Sequence, residues 1–317
     1  MHEPFEPFYR LEDIRPGDLP PVAVALGVFD GVHKGHQALL SEVMESSRTT
    51  GAVPSVLTFD PHPAFAFAPD RVPSMLGTLP ERIALLKQHG AQIVVVAHFD
   101  QALAAQTPGQ FARHILAETL GARAVVVGED FRFGRSRAGD VASLRETGTQ
   151  HGFTVHAVAP VFVDGIPARS TEIRQRVSIG DVEVAARLLG RSYSLSGEVA
   201  HGKKLGRTLG YPTANLDSPL EVLVPGAGVY ACRAHLPDGS THRAAVSVGT
   251  NQTISPDAPR TVEAFLMDGF SGDLYEQAIT VEFLHYLRPM LKFDGLPSLI
   301  TQMAKDVQEA ERLLKGR

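Results

Sequence analysis

Up to about residue 190 the chain alternates short, almost unbroken apolar runs, rich in β-branched residues, with stretches of helical period. Val22–Phe29, Val53–Phe59, Gln92–Ala97, Ala124–Val127 and Thr154–Ala159 read as strands. Gly35–Ser47, a segment from the Thr78-Leu79-Pro80-Glu81 capping box to Gly90, another from Thr107-Pro108 to Gly121, and Val141–Thr149 read as helices. Strands that are apolar throughout have to be covered on both faces, which in this order implies a parallel sheet between two helical layers. The expectation is a doubly wound α/β domain. Ser170–Val177 and Asp181–Leu189 read as two short helices closed by Gly190, and then the texture changes. Tyr193–Val199, Val229–Leu236, Ala244–Val248, Thr261–Met267 and Ala278–Phe283 are short runs between Gly, Pro, Asp and Asn turns, the pattern of an antiparallel sheet or small barrel. Leu296–Leu314 closes the chain as one amphipathic helix. The expected domains are 1–186 and 187–317.

Composition limits the function classes. The chain has 317 residues and a formal charge of −5, and neither half carries the basic excess needed to bind nucleic acid through its phosphates. Cys232 is the single cysteine, so an internal disulfide and multi-cysteine metal sites are ruled out. The N-terminus is acidic and has no long apolar run, and no apolar stretch approaches membrane-spanning length. A cytoplasmic protein without membrane or nucleic-acid partners is expected, with any self-association weak.

The strongest chemical signal is Gly27-Val-Phe29-Asp30-Gly-Val-His33-Lys-Gly35-His36, where the first strand hands over to the first helix. Open α/β sheets bind ligands at that edge, and a helix N-terminus offers free N–H donors and the positive end of its dipole. Two histidines three apart face the same way on a helical turn, which suits negative charge developing on a transferred phosphate. A zinc pair would need a third ligand, for which His62 is the obvious candidate. No G-x-G-x-x-G dinucleotide fingerprint occurs.

Two further loops open on the same edge. Thr58-Phe-Asp60-Pro-His62-Pro63 is stiffened by its prolines, and Gly128-Glu-Asp130-Phe-Arg132-Phe-Gly134 offers carboxylates, an arginine and two aromatics. By itself each also reads as an ordinary surface loop. Ser170-Thr171-Glu172-Ile-Arg174 is either a source of hydroxyl and guanidinium donors or a plain helix cap with an exposed arginine. In the second half, Gly202-Lys203-Lys204-Leu-Gly206-Arg207-Thr-Leu-Gly210 is a basic glycine-rich loop without the Walker A pattern. It runs into Tyr211-Pro212-Thr213-Ala214-Asn215, whose Thr and Asn oxygens are hard ligands suited to Mg²⁺ carrying a nucleotide. Glu263 sits in an apolar strand, either facing outward in an alternating pattern or held in a pocket as a base.

Taken together, these blocks make the chain resemble the bacterial bifunctional riboflavin kinase/FMN adenylyltransferase (FAD synthetase) family over almost its whole length. The resemblance is carried by Gly27–His36, Thr58–Pro63, Gly128–Gly134, Ser170–Arg174, Gly202–Asn215, Gly249-Thr250-Asn251, Val262–Asp268 and Leu291–Asp294. The first of these marks nucleotidyltransferases broadly, whereas Pro-Thr-Ala-Asn belongs to riboflavin kinases. The resemblance implies a C-terminal six-stranded barrel that phosphorylates riboflavin with ATP and an N-terminal domain that adenylylates FMN, giving FAD and pyrophosphate. It implies Mg²⁺ with ATP, and flavins as substrates and products. Carried over, Glu263 is the base for the riboflavin hydroxyl, and Thr213 and Asn215 hold Mg²⁺ and ATP phosphates under a cover that includes Gly202, Lys203, Gly206 and Gly210. His33, His36 and Arg174 act on the ATP phosphates of adenylyl transfer, with Gly27, Phe29, Asp30, Gly35, Ser170 and Thr171 in the ATP pocket. His62, Asp130, Arg132 and Arg288 position flavin or phosphate. Gln252 stands where the family has proline, and Glu276 where it has glycine.

Overall fold

The computed structural model describes residues 8–68, 71–201, 213–250, 260–267, 270 and 272–315. Gly202, Lys203, Gly206, Gly210 and Gln252 lie outside these. Two compact units emerge: residues 1–73 with 78–168, and residues 74–77 with 169–317. This partition differs from a 186/187 seam because helices α7 (Ser170–Ser178) and α8 (Val182–Leu189) group with the barrel, where Glu183 accepts from the backbone N–H of Tyr286 and meets His285 Nδ1 at 3.3 Å.

In the first unit, strands β1 (Tyr9–Arg10), β2 (Val22–Leu26), β3 (Val53–Asp60), β4 (Ile93–His98), β5 (Ala122–Gly128) and β6 (Thr154–Val158) form one parallel sheet in the order β1-β4-β3-β2-β5-β6. All five residues of β2 are buried, as a central strand of this kind requires. Its even and odd residues feed two separate cores. Val22, Val24 and Leu26 pack with Phe111, Ile115, Leu116, Leu144 and Phe153, while Ala23 and Ala25 pack with Leu40, Val43, Ile83 and Leu86. Helices α1 (Lys34–Thr50) and α3 (Leu79–Gln88) therefore cover one face, and the 111–119 helix and α6 (Val141–His151) cover the other. The doubly wound expectation holds. Thr78 and Glu81 close a reciprocal capping box at the start of α3, worth about 1 kcal/mol for the cap residue. The Thr107 cap is likewise present, but after Gln110 the helix widens to π winding over Phe111–Thr119.

In the second unit, β9 (Tyr193–Ala200), β10 (Thr213–Asp217), β11 (Gly228–His235), β12 (Thr241–Thr250), β13 (Arg260–Leu266) and β14 (Ala278–Arg288) close an antiparallel barrel in the order β10-β13-β12-β11-β14-β9. Tyr193, Tyr230, Cys232, Val246, Ala264 and Phe283 are fully or almost fully buried, and burial pushes the Cys232 thiol well above its usual range. Helix α9 (Leu296–Leu314) lies on the outside of the barrel, with Val307, Ala310 and Leu314 packed on Ala231, Ala245 and Phe265. Glu276 adopts φ 62°, the left-handed conformation that glycine takes at least cost.

Candidate active sites

The switch point of the parallel sheet lies between β2 and β5, where strand order reverses direction, so the loops after these two strands flank the crevice in which such sheets take ligands. The loop after β2 is unusual backbone: Phe29, Gly31 and Val32 all have positive φ, at 56°, 77° and 40°. Two non-glycine residues in that region within four positions store strain that the surroundings have to hold. Phe29 and Val32 are fully buried, and Asp30 and His33 nearly so.

His33 is the residue that caps α1. Its Nδ1 accepts from the backbone N–H of His36 at 3.3 Å, so the neutral imidazole carries its proton on Nε2. The His33 and His36 rings stack at 3.6 Å with 19° between planes, and Phe29 meets His36 at 5.0 Å. A Cβ on Gly35 would come within 2.8 Å of the Ala168 carbonyl oxygen and 3.0 Å of the His33 ring, so only glycine fits there. Lys34 and Gly35 stand in the first turn, whose amides have no intrahelical acceptor. Burial first, then His33 and Arg82, hold His36 well below its ordinary value of 6.5, and its Nδ1 is sealed from solvent without a partner. His36 thus presents a neutral imidazole, stacked on His33, at a helix N-terminus.

The other loops of this edge keep their places. His62 accepts at Nδ1 from the backbone N–H of Ala64 at 3.1 Å, which begins the short helix α2 (Ala64–Phe67). Asp130 and Arg132 are exposed on the loop after β5, beside the switch point, while Phe133 turns into the core and Phe131 stacks on it at 5.5 Å. Ser170, Thr171 and Arg174 stand on α7, in the second unit. Arg169, not Ser170, occupies the cap position, without a side-chain cap, and Arg174 is half-buried with its Nε donating to the Ser74 carbonyl at 2.9 Å.

On the barrel, antiparallel register brings distant residues into one cross-strand row: Asn215 opposite Glu263, Glu263 opposite Ser247, Ser247 opposite Val229, and Val229 opposite Arg288. Glu263 faces outward, as an alternating strand places it, and lines a cavity on that face. On β13 the residues Val262, Ala264 and Leu266 are buried, and half-buried Glu263 belongs to the opposite, outer face. That face is roofed by α9, leaving a cavity of about 210 Å³ lined by Thr213, Glu263, Phe265 and Arg288 from the strands and by Met303 and Asp306 from the helix. Thr213 and Asn215, two apart on β10, share a face, with Thr213 opposite Phe265.

Arg288, expected from the resemblance to position flavin or phosphate, lines this cavity and is also paired across to α9. Its Nε and terminal nitrogen donate to the two oxygens of Asp306 at 2.8 and 2.6 Å, and Gln302 donates to Asp306 at 2.9 Å. The guanidinium is engaged in clasping α9 to the barrel, so it shapes the cavity wall. Breaking such a buried pair from one side costs about 3–5 kcal/mol. Asp306→Ala is therefore expected to lower the denaturant midpoint of the second unit by a matching amount, measured by urea titration.

Sequence reasoning passed over Arg82, which is 5% exposed beneath the β2 loop. Nothing in Glu81-Arg82-Ile83 distinguishes a buried arginine from a helix-surface one; the only signal is its position one residue past the capping box.

Comparisons with known proteins find two families in succession along the chain. A family model described as FAD synthetase matches residues 16–172, and one described as riboflavin kinase matches residues 189–314. The bifunctional riboflavin kinase/FMN adenylyltransferase of Pseudomonas fluorescens is 37% identical over 303 residues, covering 96% of each chain. That of Haemophilus influenzae is 34% identical, covering 91% of this chain and 93% of its own. A crystal structure of a Streptococcus pneumoniae protein described as a macrolide-efflux protein superposes with a TM-score of 0.84 at 30% identity, covering 95% of this chain and 96% of the other. Among the described residues of this chain, no helix is long and apolar enough to cross a membrane. With both family models in order along it and relatives aligned from end to end, the chain belongs to the bifunctional riboflavin kinase/FMN adenylyltransferase family.

Proposed function

We propose that this chain works as its family does, with each compact unit supplying the core of one reaction. It is a riboflavin kinase and an FMN adenylyltransferase, using ATP, riboflavin and FMN as substrates. In the first reaction the riboflavin 5′-hydroxyl takes the γ-phosphoryl group of ATP, giving FMN and ADP. In the second the FMN phosphate attacks the α-phosphate of another ATP, giving FAD and pyrophosphate. The observation that carries the assignment of roles is the separation of the two sets of chemical groups: stacked His33 and His36 in one unit, roofed Glu263 in the other.

For the kinase, the roofed cavity supports Glu263 as the group that accepts the hydroxyl proton. Its cross-strand neighbours Asn215 and Ser247 are uncharged, and it lines the cavity under α9, within which a base could meet a hydroxyl. Thr213 Oγ1 and Asn215 Oδ1 are hard oxygens on one face of one strand, a donor pair that fits Mg²⁺ held with ATP. A bound Mg²⁺ would supply neutralisation of phosphate charge. For adenylyl transfer, the α1 N-terminus with Gly27, Phe29, Asp30 and Gly35 forms the ATP-side cradle. His33 and His36 donate to phosphate oxygens, and Asp130, Arg132 and His62 lie on neighbouring loops as positioning groups for FMN. The resemblance assigns Ser170, Thr171 and Arg174 to ATP in adenylyl transfer and residues 202–210 to the kinase nucleotide. The functional segments are taken as 1–186 and 187–317. The protein is proposed to be cytoplasmic, without nucleic-acid or membrane partners and with weak self-association at most.

Purified protein given riboflavin, ATP and Mg²⁺ is expected to form FMN first and FAD after it, resolved by chromatography over time. FMN that never proceeds to FAD, with FMN plus ATP also unreactive, would remove the adenylyl half of the proposal.

A further inference from the structure

Arg82 is a buried cation that neither proposed reaction uses directly. One terminal nitrogen donates to the Val28 carbonyl at 2.9 Å, and the other donates to the Phe59 carbonyl at 3.2 Å and lies 3.6 Å from Asp60 Oδ1. Its Nε is buried without a partner. Thr58 Oγ1 donates to the same Val28 oxygen at 2.9 Å, so that carbonyl is held by two donors. Val28 immediately precedes the run of positive φ at Phe29, Gly31 and Val32, and Phe59 and Asp60 lead into the His62 loop.

We propose that Arg82 is a positioning residue for adenylyl transfer: its guanidinium is a strut that fixes the β2 loop, bearing the ATP-side groups, against the end of β3, from which the flavin-side loop departs. This rests on reading Gly27–His36 as the adenylyl site. The physical case is one of cost and geometry. A buried guanidinium is expensive, and chains that need only volume at such a site do as well or better with an apolar side chain. A planar fork that spans one carbonyl in the β2 loop and one on β3 does something an apolar chain cannot, and a lysine reaches one of them at best. A strained turn keeps its shape only where its neighbours over-determine it, and here the second anchor comes from α3, outside the loop.

The position also sets charge. His36 is faced by His33 on its own turn and by Arg82 from α3, while Asp30 and Asp60 face Arg82 and temper it. Removing the Arg82 cation lets His36 take up a proton at higher pH, whereas a lysine retains the cation and misplaces the loops.

The test is a pair of variants in the full-length enzyme, Arg82→Met and Arg82→Lys, with the riboflavin kinase reaction of the same molecules as the folding control. Misplacing reacting groups by about 1 Å costs on the order of 10²-fold, so kcat/KM for FAD formation from FMN is expected to fall by about that factor in both variants. KM for ATP and for FMN should rise, and FMN formation should stay within about twofold of wild type. The acid limb of the adenylylation pH profile should move to higher pH in Arg82→Met and stay in place in Arg82→Lys. Adenylylation within threefold of wild type in Arg82→Met would overturn the inference. So would a parallel loss of both activities with a matching fall in unfolding temperature in both variants, since that marks a merely structural residue. His36→Ala, run alongside, separates the two levels. If it leaves adenylylation intact, the site reading itself fails and takes Arg82 with it. If it abolishes adenylylation while the Arg82 variants are normal, only the strut is wrong.

Discussion

Glu263→Gln is expected to lower FMN formation from riboflavin by about 10²–10⁴-fold, the range a single positioned base contributes. FAD formation from supplied FMN should remain within about twofold of wild type. The exchange keeps the size of the side chain and removes only its ability to take a proton, so the cavity under α9 and the cross-strand row through Ser247 and Asn215 stay intact. The loss should therefore appear in kcat, with KM for riboflavin and ATP little changed, because a base acts on the transition state and not on the bound ground state. Following FMN and FAD separately at saturating substrates checks this. If Glu263→Gln retained more than about a tenth of the kinase rate, the base would have to be another group.

The converse result is expected at the other unit. His36→Ala should reduce FAD formation from FMN by about 10²–10³-fold, the cost of removing one preorganised donor to a developing negative charge, and leave FMN formation untouched. The same substitution has a sign in stability. The folded state binds a proton at His36 less readily than the unfolded chain does, because burial, His33 and Arg82 all disfavour the cation. As pH falls below the ordinary value of 6.5, the unfolded state gains protons that the folded state refuses, so stability drops with falling pH. In that window each pH unit costs up to about 1.4 kcal/mol, a dependence His36→Ala should weaken. Urea unfolding of the first unit at pH 7.5 and pH 5.5, wild type against variant, reads it directly. A variant with the acid sensitivity of wild type would mean that the depressed His36 plays no part in it. The neutral state also changes how the motif works: its positive potential comes from the α1 N-terminus and Lys34, while the stacked imidazoles act as directional donors.

Much of this was legible residue by residue. The all-apolar β2 run and the capping boxes at Thr78 and Thr107 define a doubly wound domain because burial on both faces and helix starts are local demands on side chains. Helix α9 follows from its apolar period over Leu296–Leu314. Strand β10 was harder to see, since Thr213-Ala-Asn215 carries little β-branched or aromatic character and forms a strand only because β9 and β13 pair with it.

By itself, then, the sequence determined the two fold classes, since periodicity is a property of neighbouring positions, and its motif blocks carried the resemblance that implied the order of the two chemistries. The tertiary structure decided the rest: that outward-facing Glu263 lies under a roof, that Arg288 pairs with Asp306, that His36 is neutral, and that Arg82 is buried. Each of these depends on groups brought together from far along the chain, 18 residues for Arg288 and Asp306 and 54 for Arg82 and Val28. Burial, charge and hydrogen bonding at a site are set by what packs against it in space.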